Sequence, residues 1–406
     1  MRYQMDEIFN GSFTQQEPIS EVAIEAALKT LRSGRLHRYN TIEAEIDETS
    51  LLEVEFAELM GTKFALAVTS GGYAMGCALR AVGVKKDDLV LSNAFTLAPV
   101  PGAIDGVGAK PVFVETTENL KIDLDDLERK INISGSKFLL LSHMRGHICD
   151  MDSLMKKCNK YNVKVIEDCA HTMGAFWGKT PSGRHGAVGC YSCQTYKHIN
   201  SGEGGFLITD DEEIIARAII LSGSYMLYEK HKSAPDAAIF EKIKLETPNI
   251  SGRMDNLRAA ILRPQLNELD DKVKRWNKRY RIIEEGIRNI PSIKVVERQD
   301  HEKFVGSSIQ FLMPSLSGDD IERFVDGCVE RGVELKWFGA TLPKAFTSKY
   351  DSWKYIDPQI LEQTDSVLSG LLDMRLPLTF TLDDCEIVAR IISSEAIKLT
   401  KLDRVW

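Results

Sequence analysis

Three short segments of the chain carry residue types that could do chemistry. An acidic pair, Glu167 and Asp168, closes the apolar run VKVIED, and Lys197 follows 29 positions after Asp168, shortly before a glycine-rich turn. The third segment, residues 69–72, is Thr-Ser-Gly-Gly between an apolar run and an Ala-rich stretch. A desolvated lysine can attack a carbonyl carbon. A carboxylate at the end of a buried strand needs a cation or a hydrogen-bond donor, and the free N–H groups of a helix start bind phosphate.

Each segment alone also has an ordinary structural explanation. Asp168 could cap the next helix or pair with a buried arginine, Lys197 could be a solvated surface charge, and the glycines at 202–205 could serve only a tight turn. Taken together, the phosphate cradle, the acid and the lysine match what pyridoxal phosphate requires. The lysine holds its aldehyde as a Schiff base, and the acid keeps its pyridine nitrogen protonated.

Short apolar runs alternate with helical patterns through the first half of the chain. The strand-like runs are residues 63–70, 89–92, 111–116, 137–143, 163–170, 189–194 and 205–210. This alternation predicts a mostly parallel sheet with helices on both faces. In such a sheet, ligands bind at the carboxyl ends of the strands, which is where Asp168 and residues 69–72 fall.

The pattern changes after about residue 250. A long charged helical stretch over residues 255–289 leads into a strand–helix–strand–helix segment, which indicates a smaller α+β domain. We therefore expect three parts. They are an N-terminal segment (1–40) that packs on the small domain, a large cofactor-binding domain (41–275) and a small C-terminal domain (276–406).

Composition excludes several classes of protein. The 406 residues include 43% hydrophobic and 27% charged ones, which is ordinary for a globular chain and excludes a disordered chain, a collagen-like fibre and a small disulfide scaffold. The net charge of −8 without a basic stripe argues against a nucleic-acid partner. No apolar stretch reaches the roughly 18 residues that a membrane helix needs.

We expect a cytoplasmic protein. The N-terminus carries early acids and no apolar signal core, and the eight cysteines are scattered as in proteins with reduced thiols. Cys190 and Cys193 form an isolated CxxC without a second ligand pair, so we predict no metal site.

The runs EDCAH and GCYSCQTYKHINSGEGGFLITD resemble segments of the DegT/DnrJ/StrS sugar aminotransferases. These are pyridoxal-phosphate enzymes of fold type I, in the aspartate aminotransferase superfamily. The resemblance extends over most of the chain and includes RSGRLHRYN, SHMRG, NISGRMDNLRAAI and MRLPLTFTLDD. It implies an α/β fold whose large domain has a mostly parallel seven-stranded sheet flanked by helices, with a smaller α+β domain at the C-terminus.

The resemblance also implies roles for individual residues. Lys197 would be the Schiff-base lysine and the proton carrier, Asp168 would pair with the pyridine nitrogen, and His171 would lie beside the phenolic oxygen of the ring. The other implied cofactor contacts are Gly71, Gly72, Ser192, Leu97 and Asn249. Asn249 would reach the phosphate of the neighbouring subunit in an obligatory homodimer.

The chain departs from the family pattern at a few positions. Gly72 and Tyr73 stand where the family commonly has Thr and Ala, and Leu97 stands where an aromatic residue usually stacks on the ring. Two extra residues also separate Asn249 from Arg253. A sister group that dehydrates sugars has histidine in place of the lysine, so Lys197 favours transamination.

Substrate contacts are predicted at Arg38, Tyr39, Arg145 and His147, with Arg184 and His185 as further basic candidates. Each could instead be an ordinary surface or interface side chain. Two that converge would suit an anionic substrate.

The implied reaction transfers an amino group to a keto-sugar, with L-glutamate as the expected donor and pyridoxamine phosphate formed during turnover. The acceptor would be a nucleotide-linked keto-hexose or the keto form of an eight-carbon sugar acid, in the biosynthesis of amino sugars and of polysaccharide or lipopolysaccharide. Two alternatives stay open. One is a pyridoxal-phosphate-dependent sugar dehydratase or epimerase, and the other is a catalytically silent sensor or scaffold of the same fold.

Overall fold

A computed structural model describes residues 7–42, 45–342 and 349–402, without the side chains of residues 400–402. The α-helices of this part are α1 (Glu21–Ser33), α2 (Glu48–Met60), α3 (Gly71–Ala81), α4 (Pro99–Gly106), α5 (Leu124–Ser134), α6 (Met151–Lys160), α7 (Glu212–Ile219), α8 (Ala237–Ile243), α9 (Asn256–Leu266), α10 (Leu269–Ile287), α11 (Gly318–Glu330), α12 (Glu362–Ser369) and α13 (Leu382–Leu402). Among these described helices, none combines the length and the apolar character needed to cross a bilayer.

The strands of the described residues form three sheets. They are β1 (Phe64–Val68), β2 (Leu89–Asn93), β3 (Lys110–Val114), β4 (Phe138–Ser142), β5 (Lys164–Asp168), β6 (Phe176–Trp177), β7 (Thr180–Pro181), β8 (Val188–Ser192), β9 (Gly205–Thr209), β10 (Lys294–Val295), β11 (Glu302–Lys303), β12 (Ser308–Leu312), β13 (Lys336–Trp337) and β14 (Leu371–Arg375).

The main sheet has seven strands in the order β1-β9-β8-β5-β4-β2-β3. Strands β8, β5, β4, β2 and β3 pair in parallel, and β9 pairs antiparallel with both of its neighbours. Alternate strand residues pack against α3 and α7 on one face, and against α2, α5, α6 and α9 on the other. The predicted α/β fold with a mostly parallel sheet between helices is confirmed. The carboxyl ends of β1, β4, β5 and β8 meet at one edge.

The second domain is built on a four-stranded antiparallel sheet, β10-β12-β14-β13. Helices α10, α11 and α13 pack on it around a shared apolar core. Phe9 and Phe13 join this core, with their ring centroids 4.9 and 5.0 Å from that of Phe380. Helix α1, by contrast, packs on α9 in the large domain. Residues of the N-terminal segment therefore contact both domains. The expected boundary at residue 275 falls inside α10.

Candidate active site

A cavity of about 480 Å³ opens at the carboxyl edge of the main sheet. Four segments that follow or end strands contribute to its wall: Ser70 and Gly71 after β1, Ser142 at the end of β4, Asp168 at the end of β5 and Ser192 at the end of β8. The small domain and the N-terminal segment close the cavity from the other side. This is the position at which parallel α/β sheets bind ligands.

Lys197 projects into this cavity and contacts His171. The Lys197 Nζ lies 2.8 Å from the His171 Nε2. Burial, reinforced by the positive charges of Arg145 and Arg375, lowers the pKa of Lys197 to about 7, although Asp168 opposes this shift. Near neutral pH, Lys197 is therefore a neutral amine in a substantial fraction of the protein molecules, and the neutral amine is the nucleophilic form.

The loop that carries Lys197 is closed by main-chain hydrogen bonds. The Lys197 N–H donates to the Gln194 carbonyl over 2.8 Å, and the Cys193 N–H donates to the Gly204 carbonyl over 2.8 Å. Gly202 and Gly204 have φ values of 81° and 155°, which few other residues adopt. The glycine-rich turn therefore shapes the lysine loop. Among these glycines, none lines the cavity.

Asp168 is held in one orientation by its neighbours. Its Oδ2 accepts a hydrogen bond from the Ser142 Oγ over 2.9 Å, and its Oδ1 accepts one from the Ala170 N–H over 3.1 Å. Ser142 is fixed in turn, because its N–H donates to the Asn93 Oδ1 over 2.8 Å. The carboxylate oxygens thus keep lone pairs that can accept a further hydrogen bond from the cavity, for example from a protonated ring nitrogen.

Glu167 faces the opposite side of β5, because successive strand residues alternate. Its carboxylate is fully buried and accepts hydrogen bonds from the N–H groups of Gly183, His185 and Gly186, and it lies 2.9 Å from the His143 Nε2. Burial opposes ionisation, but the hydrogen bonds from His143 and His185 hold the pKa of Glu167 well below its usual range. Of the acidic pair, Glu167 therefore supports the fold and Asp168 belongs to the cavity.

The start of α3 forms a cradle with Ser192. The Ser70 Oγ caps the helix by accepting from the Tyr73 N–H over 3.1 Å, and Gly71 and Gly72 line the cavity. A Cβ on Gly71 would lie 2.8 Å from the Ser192 Cβ, so a side chain does not fit there. The donor chemistry of a helix start beside a serine hydroxyl fits a phosphate group.

The structure also locates the positions at which the chain departs from the family pattern. Leu97 lines the cavity, whereas Phe95 is buried with its ring centroid 5.2 Å from that of Phe338. Tyr73 does not line the cavity, and its hydroxyl donates to the carbonyls of Leu221 and Ile250.

Arg38 and Tyr39 do not line the cavity, which corrects the predicted substrate contact at Arg38. Both terminal nitrogens of Arg38 donate to the Glu53 carboxylate over 2.7 Å, and both side chains are fully buried. The Tyr39 hydroxyl donates to the Ser224 Oγ over 2.5 Å. A guanidinium that is chelated and sealed from solvent cannot bind a substrate, so Arg38 serves the fold.

His147, Asn249 and Arg184 also lie outside the cavity wall. The His147 Nε2 is buried 2.8 Å from the Gln310 Oε1, and burial lowers the pKa of His147 well below its usual value. The Asn249 Nδ2 donates to the Ile220 carbonyl of the same chain over 3.1 Å. Arg184 forms an ion pair at the protein surface. Within one chain, the structure thus corrects the predicted substrate contact at His147.

Arg145 is the predicted substrate residue that does line the cavity. A second arginine, Arg375 at the end of β14, was missed by sequence reasoning. Its guanidinium carbon lies 3.9 Å from the ring centroid of Tyr196, which also lines the cavity. The available signal was a basic residue at the end of the apolar strand LLDMR. Nothing in the sequence indicated that this strand faces Lys197.

The profile of the DegT/DnrJ/EryC1/StrS aminotransferase family matches residues 19–393. A putative L-glutamine:3-amino-2,3-dideoxy-scyllo-inosose aminotransferase of Micromonospora echinospora is 29% identical over 289 residues, which are 69% of this chain and 66% of the relative. The GDP-perosamine synthase of Escherichia coli O157:H7 is 29% identical over 253 residues, or 62% of this chain and 65% of the relative. The matched part thus spans just under two thirds of these relatives.

The fold also matches a solved structure. The structure described as E. coli GDP-4-keto-6-deoxy-D-mannose-3-dehydratase with bound hydrated PLP superimposes with a TM-score of 0.80. The match covers 95% of this chain and 100% of that chain at 20% sequence identity. At this identity, the match establishes the fold alone.

The environment of Lys197 predicts an unusual chemical reactivity. In competitive acetylation followed by peptide mass spectrometry, labelling of Lys197 should rise with pH and reach half its plateau near pH 7, because its pKa is about 7. Lys160 is a matched control, since its exposed ammonium donates to Glu128 and its pKa is raised. The acetylation of Lys160 should not approach a plateau below about pH 10. Parallel profiles for the two lysines would contradict the inferred environment.

Proposed function

The chain belongs to the DegT/DnrJ/EryC1/StrS aminotransferase family, and on that premise we propose that it transfers an amino group from L-glutamate to a keto-sugar, with pyridoxal phosphate as cofactor. One observation carries the proposal. A lysine with a pKa of about 7 shares one cavity with a strand-end carboxylate and the cradle at the start of α3. These are the groups that the cofactor requires, and three separate strands, β1, β5 and β8, bring them to the same edge.

The residues present fit pyridoxal phosphate. The N–H groups at the start of α3 and the Ser192 hydroxyl would hold its phosphate, and Asp168 would pair with its ring nitrogen. His171, which contacts Lys197, would lie beside the phenolic oxygen of the cofactor. When bound, the cofactor supplies an aldehyde for the lysine and a ring that accepts electrons from a substrate carbon.

Lys197 is the proposed proton carrier. A pKa of about 7 places its amine near the point where it can both take and return a proton at neutral pH. Its contact with His171 fixes the amine against one wall of the cavity. Asp168, held in one orientation by Ser142 and the Ala170 N–H, would accept a hydrogen bond from the protonated ring nitrogen.

Arg375 is the proposed contact for the carboxylate of the amino donor. Its guanidinium stacks on Tyr196 and, among the described residues, forms no ion pair. The fork of a guanidinium matches a carboxylate with two hydrogen bonds. Arg145, by contrast, already donates from Nη2 to the Asp373 Oδ2 over 2.6 Å. Arg375 is therefore the cavity arginine that is available for a substrate.

The acceptor is proposed to be a sugar. The similarity to a protein named GDP-perosamine synthase supports a nucleotide-linked keto-hexose, and the keto form of an eight-carbon sugar acid is the second proposed acceptor. The similarity to a dehydratase structure concerns the fold. Lys197 itself supports transamination, because it can carry the proton that amino transfer requires.

The decisive measurement is an absorption spectrum of the purified protein with pyridoxal phosphate, before and after L-glutamate is added. A visible band that glutamate bleaches is expected for the first half of the transfer. The Lys197→Ala variant should show neither the lysine-bound band nor the bleaching, whereas Lys179→Ala, at a surface turn, should behave like the parent. A band that glutamate leaves unchanged would favour dehydration or another donor. If no visible band formed, Lys197 would not bind pyridoxal phosphate, and the proposed function would be wrong.

Removing the guanidinium of Arg375 should weaken donor binding. We expect Arg375→Met to raise the KM for glutamate by about 10- to 100-fold, with a smaller change in kcat. This fold-change corresponds to the loss of a charge-assisted hydrogen bond, which contributes roughly 1.5–3 kcal/mol to binding. Arg184→Met is the matched control, because its ion pair lies at the surface. An unchanged KM in Arg375→Met would refute this role.

A homodimer is also proposed, as the family resemblance implies. Apolar side chains on α1 and on the segment before α9 are exposed in the single chain, including Val22 (68%), Met226 (73%) and Leu245 (94%). Exposed apolar side chains that form one contiguous patch are typical of surfaces that bind another chain. Sedimentation velocity should give about twice the chain mass of 45.5 kDa. A monomer that is fully active would contradict the shared-site dimer.

A further inference from the structure

Arg145 has an unusual main-chain conformation. Its φ and ψ are 55° and 24°, in the left-handed region that residues with a Cβ seldom adopt. Four non-glycine residues of the described part have a positive φ, namely Asp87, Leu120, Arg145 and Asn162. Of these, only Arg145 lines the cavity. Backbone strain of this kind is often stored at functional sites.

The conformation directs the Arg145 N–H at His171. This N–H donates to the His171 Nδ1 over 3.1 Å. A main-chain N–H can only donate, so the Nδ1 must be an acceptor, and a neutral imidazole then carries its hydrogen on Nε2. Burial keeps the ring neutral, because it is the largest cause that lowers the pKa of His171 well below its usual value.

The chosen tautomer determines the bond to Lys197. The His171 Nε2 carries the hydrogen and lies 2.8 Å from the Lys197 Nζ. It can donate only to an amine that has a free lone pair, which is neutral lysine. A protonated Lys197 would place two hydrogens between the same two nitrogens. The hydrogen bond thus selects the neutral amine.

The side chain of Arg145 is anchored in the small domain. Its Nη2 donates to the Asp373 Oδ2 over 2.6 Å, and both side chains are at least nine-tenths buried. The Asp373 Oδ1 accepts from the Gln310 Nε2 over 2.8 Å. Asp373 and Gln310 are register partners in β14 and β12. The ion pair therefore connects the strained loop residue to the rigid sheet of the other domain.

We propose that Arg145 is a positioning residue whose N–H, held in the left-handed conformation by the Asp373 ion pair, fixes His171 as the Nε2–H tautomer that donates to Lys197. The functional importance of this contact rests on the proposed role of Lys197. The predicted tautomer of His171 does not depend on that role.

The test is the tautomer of His171, read from two-bond ¹H–¹⁵N correlations in chain labelled with ¹⁵N-histidine. The signals are assigned by their loss in His171→Gln, and spectra are recorded above the pKa of Lys197, with and without pyridoxal phosphate. One hydrogen bond at Nδ1 should favour the Nε2–H form by roughly tenfold in the parent.

Two variants at position 145 isolate the main chain. Arg145→Gly and Arg145→Val both remove the guanidinium and its ion pair with Asp373, but glycine enters the left-handed region readily and a β-branched residue does not. Arg145→Gly should keep the Nε2–H form, and Arg145→Val should show both tautomers in comparable amounts. The same tautomer ratio in the two variants would overturn the proposal.

Asp373→Asn tests the anchor, because it preserves the shape of the side chain and removes its charge. We expect a mixture of tautomers, and the parent spectrum would overturn the anchoring role of the ion pair. Thermal unfolding midpoints of all variants identify any that fail to fold. If glutamate does not react but the tautomer follows these expectations, the proposed function fails and the positioning inference stands.

Discussion

Lys197 is buried in a cavity beside two arginines, and the cost of keeping an ammonium there governs the arrangement around it. Arg145 and Arg375 face the lysine, with Asp168 as the opposing charge, and burial adds the largest contribution to the lowered pKa. Two of these neighbours are fixed by partners of their own: Arg145 by Asp373, and Asp168 by Ser142. The neutral amine is thus the product of charges that the surrounding fold holds in place.

Both domains are needed for this arrangement. The main sheet supplies the cradle, the carboxylate and the lysine loop from its carboxyl edge, whereas Arg375 and Asp373 come from β14 of the small domain. Phe13 of the N-terminal segment lines the cavity and also packs in the small-domain core. A displacement of the small domain would therefore move Arg375, and Asp373 with it, relative to Lys197, while Asp168, the cradle and the main chain of Arg145 kept their places.

The sequence predicts the parts of the site that obey a local rule. Asp168, Ser192 and Gly71 are predictable because apolar strands end just before them, and the ends of parallel strands share one edge. The sequence does not predict α2, although this helix carries Glu53, the partner of Arg38. Without that partner, Arg38 resembles a ligand residue. Arg375 was missed for the converse reason, because its proximity to Lys197 depends on how the two domains pack.

The substitution of Tyr73 at the cradle bears on the alternative of a silent scaffold. Its phenol turns away from the cavity and donates to two carbonyls, those of Leu221 and Ile250. The space for its ring depends on Gly252, where a Cβ would lie 2.2 Å from the ring. Because Gly252 has no side chain, the ring of Tyr73 fits beside it. The first residues of α3, Gly71 and Gly72, still line the cavity. The departure at position 73 therefore repacks the rear of the cradle, and it does not argue for loss of the phosphate site.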